Sequence, residues 1–248
     1  MALRVDEASE AYERSMRNMA PAGPGVCRVC WAFVDADYET CYACGHQPAN
    51  LDVVVPITYS EHLGQMHTAL RNYKDGATAE IRGYAAVRLA AILWRFLRQH
   101  ENCVAAAAGV EAFDLVTVVP SSTPDRDEHS AFRLVTETVE PVRDRLQRTL
   151  RPTGEVTGRD FDLHRFDATT DVSGCSVLLL DDTWVTGGHA RSAASALRRA
   201  GAQKVASVVI GRHLRREYEP VSDSGETCGD LFDALPAAFS WQSCAVHR

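Results

Sequence analysis

Residues 177–201, VLLLDDTWVTGGHARSAASALRRAG, restrict the fold of this chain more than any other stretch. Residues 177–180 are an unbroken apolar run, the pattern of a parallel strand covered on both faces. Asp181 and Asp182 end that run at its carboxyl side, where open α/β sheets hold their ligands. Gly187 and Gly188 then allow a tight backbone turn. From Ala190 the chain becomes rich in Ala, Leu and Arg, and Gly201 supplies a C-cap, so a helix is predicted directly after the loop.

A glycine loop feeding a helix N-terminus aims several N–H groups and the positive end of the helix dipole at one spot, which suits a phosphate. Two carboxylates beside that spot would repel a bare anion; they suit hydroxyl groups or a metal. The implied ligand is a sugar phosphate with a free diol, such as a ribose 5-phosphate. Paired acids after a strand also occur in receiver domains and metal-dependent phosphatases, but without a Thr-Gly-Gly turn into a helix. LLLDDTWVTGG resembles the signature of the type I phosphoribosyltransferases, which bind phosphoribosyl pyrophosphate. By that resemblance Asp181 and Asp182 take the ribose hydroxyls as the catalytic pair. Thr183, Val185, Thr186, Gly187, Gly188 and His189 wrap the 5-phosphate, largely with backbone amides. Val185 and His189 stand where the family usually has hydroxyl residues, leaving Thr186 and the amides as donors, with His189 as an extra one.

Cys27-x-x-Cys30 and Cys41-x-x-Cys44, ten residues apart, form two hooks that together fill a tetrahedral zinc site. Four sulfurs leave no open position, so this zinc is structural. The ribbon around it, residues 27–50, is too small for a core of its own and draws its folding energy from the metal. The N-terminal residues are charged and lack an apolar signal core, no apolar run is long enough to span a bilayer, and reduced cysteines fit a cytoplasmic protein. A net charge of -7 argues against a broadly basic nucleic-acid surface.

Further strands are predicted at 53–55, 115–119 and 205–210, and the family resemblance implies a short strand at 161–166. Helices are predicted within 59–76, where Leu63, Met66 and Leu70 face the core, over 79–100 with Ile81, Tyr84, Val87, Leu89, Leu93, Phe96 and Leu97 on the apolar side, and over 131–150. The alternation gives an α/β fold, a parallel doubly wound sheet, with a small N-terminal zinc ribbon. Residues 1–26 read as a polar arm, 51–220 as the phosphoribosyltransferase domain and 221–248 as a C-terminal extension. Cys228, Cys244 and His247 in that extension offer a second, irregularly spaced metal set, while Cys103 and Cys175 read as ordinary buried thiols.

A four-cysteine ribbon, then Tyr73-Lys74-Asp75-Gly76, then the Asp-Asp loop, in that order, is similar to the ComF family of competence-associated phosphoribosyltransferase-like proteins. That resemblance puts Lys74 near the active site, the alternative being an exposed lysine at a helix end. It makes Pro120, Ser121 and Ser122 the pyrophosphate-binding turn, and Arg159 a phosphate contact in place of a solvated charge. The loop after the turn, residues 124–129, holds three acids and only Arg126 as a base where the family is arginine-rich. The activity implied is transfer of the phosphoribosyl group from phosphoribosyl pyrophosphate, with Mg²⁺, to a base or amine. The alternative is a non-catalytic phosphoribosyl or nucleotide sensor, or an adaptor working with DNA or DNA-processing proteins.

Overall fold

A computed structural model of the chain describes residues 5–122, 127, 130–156, 158–221 and 224–246. The helices among them are α1 (Val5–Glu13), α2 (Tyr42–His46), α3 (Gln65–Asp75), α4 (Ala79–Ala108), α5 (Ala131–Glu137), α6 (Glu140–Arg143), α7 (Gly188–Arg199) and α8 (Cys228–Asp233). The strands are β1 (Val53–Glu61), β2 (Leu115–Val118), β3 (Leu150–Pro152), β4 (Phe166–Ala168), β5 (Ser176–Trp184) and β6 (Lys204–Leu214). Four of the strands form a parallel sheet in the order β1-β6-β5-β2, and β3 pairs antiparallel with β4.

Burial on both faces explains the apolar runs. Leu178 and Leu180 of β5 join one hydrophobic cluster, with the cores of α3 and α4, while Val177 and Leu179 join another, with α7 and the cysteine ribbon. Val208 and Val209 of β6 divide in the same way. The sheet is therefore a middle layer whose alternate side chains serve opposite cores.

Several elements differ from the sequence expectation. β1 runs on through Pro56 to Glu61; it is an edge strand, the place in a sheet where proline is tolerated. Tyr59 thus lies in a strand, and Leu63, expected in the core, is 75% exposed in a left-handed turn ahead of α3. α4 extends to Ala108, where Gly109 in the left-handed conformation caps it. Its buried stripe is Ala85, Leu89, Ile92, Leu93, Phe96 and Leu97, leaving Ile81, Tyr84 and Val87 exposed.

The helix expected over 131–150 is broken. α5 ends at Glu137, and Pro141 occupies the first turn of the short α6, where its ring would clash with the Glu137 carbonyl of a continuous helix. The chain then extends into β3. Of the strand expected at 161–166 only Phe166 is in a strand, as the first residue of β4.

The first and last described segments are part of the fold. α1 packs along α4, Met16 is fully buried, and Arg95 of α4 bonds Ser9 (3.1 Å) and Glu13 (3.0 Å), so residues 5–20 are not a loose arm. Trp241 of the C-terminal segment is buried in the α4 core, and its indole donates to Glu13. Cys228 sits elsewhere, in a third cluster with Phe33 and Tyr59, so it does not share a site with Cys244. Cys103 and Cys175 are only partly buried. No helix among the described residues is long and apolar enough to cross a membrane.

Candidate functional site

β5 carries Asp181 and Asp182 to the carboxyl end of the sheet and finishes at Trp184, and the turn through Val185, Thr186 and Gly187 enters α7 at Gly188. Two glycines are required there. Gly187 has φ +81°, and a Cβ on it would meet the Trp184 ring at 2.1 Å. A Cβ on Gly188 would meet the Arg159 carbonyl at 2.2 Å, because the backbone of residues 159–161 crosses directly over the helix start. Val185 is 40% exposed, and Thr183 and Thr186 are half-buried on the turn.

The two acids have different surroundings. Asp182 is 5% exposed and already partnered: Tyr73 Oη donates to its Oδ2, and Lys74 Nζ lies 2.5 Å from the same oxygen. α3 ends at Asp75, so consecutive residues of its last turn deliver both donors to one carboxylate. Burial works against the Lys74 charge, but Asp182, with Asp181 and Asp75, outweighs it and holds the ammonium above the ordinary lysine range. Burial and the Asp182 carboxylate raise the Tyr73 phenol well above its usual value. Asp181 is half-buried and accepts the Asp182 N–H at 2.8 Å. Burial, then the charge of Asp182, push its carboxyl well above the usual range, with Lys74 opposing. Two acids share one lysine, which leaves Asp181 suited to a hydroxyl donor or a cation.

Around the loop, basic groups gather. His189 Nε2 donates to the Gly158 carbonyl at 3.1 Å, so this ring nitrogen is committed within the chain. Burial lowers the His189 pKa, the hydrogen bond to Gly158 opposes it, and the charges of Arg165, Arg159 and Lys74 lower it further. Arg165 is 2% exposed and ties the covering segment down through the carbonyls of Gly158 (3.1 Å) and Asp160 (2.9 Å). Arg159 itself is exposed.

Pro120, Ser121 and Ser122 follow β2 at the same end of the sheet, but the Ser121 N–H donates to Asp127 Oδ1 at 3.1 Å. Asp127 is 3% exposed and pairs with Arg148 at 2.6 Å. The turn's amide is thus held by an internal carboxylate. Arg126 lies outside the described residues.

The Sγ atoms of Cys27, Cys30, Cys41 and Cys44 all lie within 4.8 Å of one another, with Cys30 and Cys41 3.6 Å apart. Tetrahedral zinc with Zn–S bonds of about 2.3 Å sets sulfurs about 3.8 Å apart, so the four thiols fit the ion. Two buried arginines reach the cluster from the sheet layers. Arg191 of α7 lies 3.1 Å from Cys44 Sγ and bonds the Pro48 carbonyl at 2.9 Å. Arg212 of β6 bonds the Cys30 carbonyl at 2.9 Å, approaches Cys30 Sγ at 3.6 Å and bonds the Trp184 carbonyl at 3.3 Å. Four thiolates on one divalent ion carry two net negative charges, which the two guanidiniums match in a buried setting.

Sequence reading singled out the acids, the glycine turn, Lys74 and the cysteines, and the structure brings Lys74 and Arg159 to the acid and glycine ends of the loop. It missed Tyr73 as a partner of Asp182, and also Arg165, Asp127, Arg191 and Arg212. Nothing in local sequence distinguishes those arginines from surface ones. No family model and no curated protein matches the chain. Among solved structures, one described as the allosteric regulatory enzyme of purine biosynthesis aligns at 21% identity and a TM-score of 0.34, covering 56% of this chain and 30% of that one.

Proposed function

We propose that the chain is a phosphoribosyltransferase-like protein of the type I class that binds phosphoribosyl pyrophosphate with Mg²⁺ and transfers the phosphoribosyl group to a base or amine. The observation that carries this reading is the run of strand, acid pair, glycine turn and helix start at one point of the sheet edge, with Lys74, His189 and Arg159 around it. Gly187, Gly188 and Thr186 would hold the 5-phosphate on amides and a hydroxyl. Asp181, whose carboxyl is the less committed of the pair, would accept the ribose hydroxyls, and Asp182 with Lys74 and Tyr73 would fix its position. Mg²⁺ would arrive with the pyrophosphate and neutralise its charge as it departs. The bond from the anomeric carbon to pyrophosphate breaks while a bond to the acceptor nitrogen forms, and the protein's share is positioning and charge stabilisation.

A second reading, binding without transfer, is favoured by the engagement of the Ser121 amide with Asp127. In that case the fold serves as a phosphoribosyl or nucleotide sensor, or as an adaptor for DNA or its processing proteins. Isothermal titration of phosphoribosyl pyrophosphate with and without Mg²⁺ tests the site. Micromolar, Mg²⁺-dependent binding that is lost in Asp181→Asn is expected; unchanged affinity in that variant removes Asp181 from the site. Pyrophosphate release with a base or amine separates transfer from binding alone.

A further inference from the structure

α4 presents His100 and Cys103 one helical turn apart, and the C-terminal segment lays Cys244 against them, so that their donor atoms all fall within 4.8 Å of one another. His100 is 3% exposed, and its Nε2 lies 2.7 Å from the Trp241 carbonyl. A carbonyl only accepts, so Nε2 carries the ring proton and Nδ1 presents a lone pair, 3.8 Å from Cys103 Sγ. Metal-bound histidines are oriented in this way, one nitrogen donating to a carbonyl and the other turned towards the ion. Zinc with bonds of about 2.0–2.1 Å to nitrogen and about 2.3 Å to sulfur sets such a pair about 3.6 Å apart.

We propose that His100, Cys103 and Cys244 form a second zinc site that clamps the C-terminal segment onto α4. One imidazole and two thiolates are a borderline-soft set that selects zinc over Mg²⁺ or Ca²⁺. Two thiolates and a neutral imidazole on a divalent ion sum to zero charge, which suits a place beside the buried Trp241 and Phe96.

Zinc is to be counted by elemental analysis in the reduced full-length chain and in a Cys103→Ser, Cys244→Ser double variant. The count is expected to fall by about one ion per chain between them, whatever the ribbon holds. An equal count in both proteins overturns the site. Should the double variant fail to fold, Co²⁺ titration of the wild-type chain decides. Tetrahedral bands with thiolate charge transfer that keep growing beyond about one equivalent support the second site, and saturation at about one equivalent overturns it.

Discussion

Asp181 and Asp182 are neighbours with opposite expected responses to the same change. Asp182→Asn strips the charge partner from Lys74 and weakens the bond from Tyr73, so a loss of about 1–3 kcal/mol is expected in urea unfolding, reduced from a fully buried pair because Lys74 is half exposed. Asp181→Asn removes a carboxylate whose ionisation the site resists, so its melting temperature is expected to rise while ligand binding is lost. A stabilised but non-binding Asp181→Asn protein would show that the strain belongs to function. His213 answers to pH. Burial, then His67 and His62, lower its pKa to about 4. The unfolded chain binds that proton near pH 6.5 and the folded chain only near 4, so stability is expected to fall as pH drops from about 6.5 towards 4. Urea midpoints across that range check this, and His213→Gln should flatten the slope.

At the scale of elements, the glycine turn is the tightest packing decision in the candidate site. Gly188→Ala would drive a methyl into the Arg159 and Asp160 backbone, which Arg165 pins from behind. A cost of about 2–4 kcal/mol is expected, together with displacement of the 158–162 segment, read by chemical denaturation and by proteolysis within that segment. This turn was legible in the sequence because strand, acids, glycines and helix are consecutive, and their chemistry is local. The same holds for β5 and β6, whose unbroken apolar runs demand cover on both faces. The failures were also local in origin. Leu63 has helical spacing with Met66 and Leu70 but belongs to the turn before α3, and a period of 3.6 cannot show where a helix starts. Pro141 carried the signal that splits the 131–150 segment, and the apolar spacing across it hid that break. The covering segment 158–161 and the hold of Asp127 on Ser121 depend on contacts between residues distant in space or across a turn, which no periodicity encodes.

For the whole molecule, the cysteine ribbon and the candidate site are one mechanical unit, joined by two side chains. Arg212 spans from Cys30 to the Trp184 carbonyl at the head of the glycine turn, and Arg191 runs from the body of α7 to Cys44. With zinc in place the guanidiniums meet a dianionic cluster. With zinc removed and the thiols protonated, the same two charges would be buried without a counter-charge, which is costly. Metal removal is therefore expected to do more than unravel residues 27–50: it should loosen Trp184, Gly187 and the start of α7. A strong chelator under reducing conditions is expected to lower the melting temperature by about 10 °C or more and to abolish, together with it, the phosphoribosyl pyrophosphate binding proposed above. Arg212→Met in the zinc-loaded protein separates the two effects. If Arg212 transmits the state of the ribbon to the turn, this variant should keep its zinc yet bind the ligand more weakly. Unaltered ligand affinity in zinc-loaded Arg212→Met would reduce the ribbon to a stabilising appendage of the sheet.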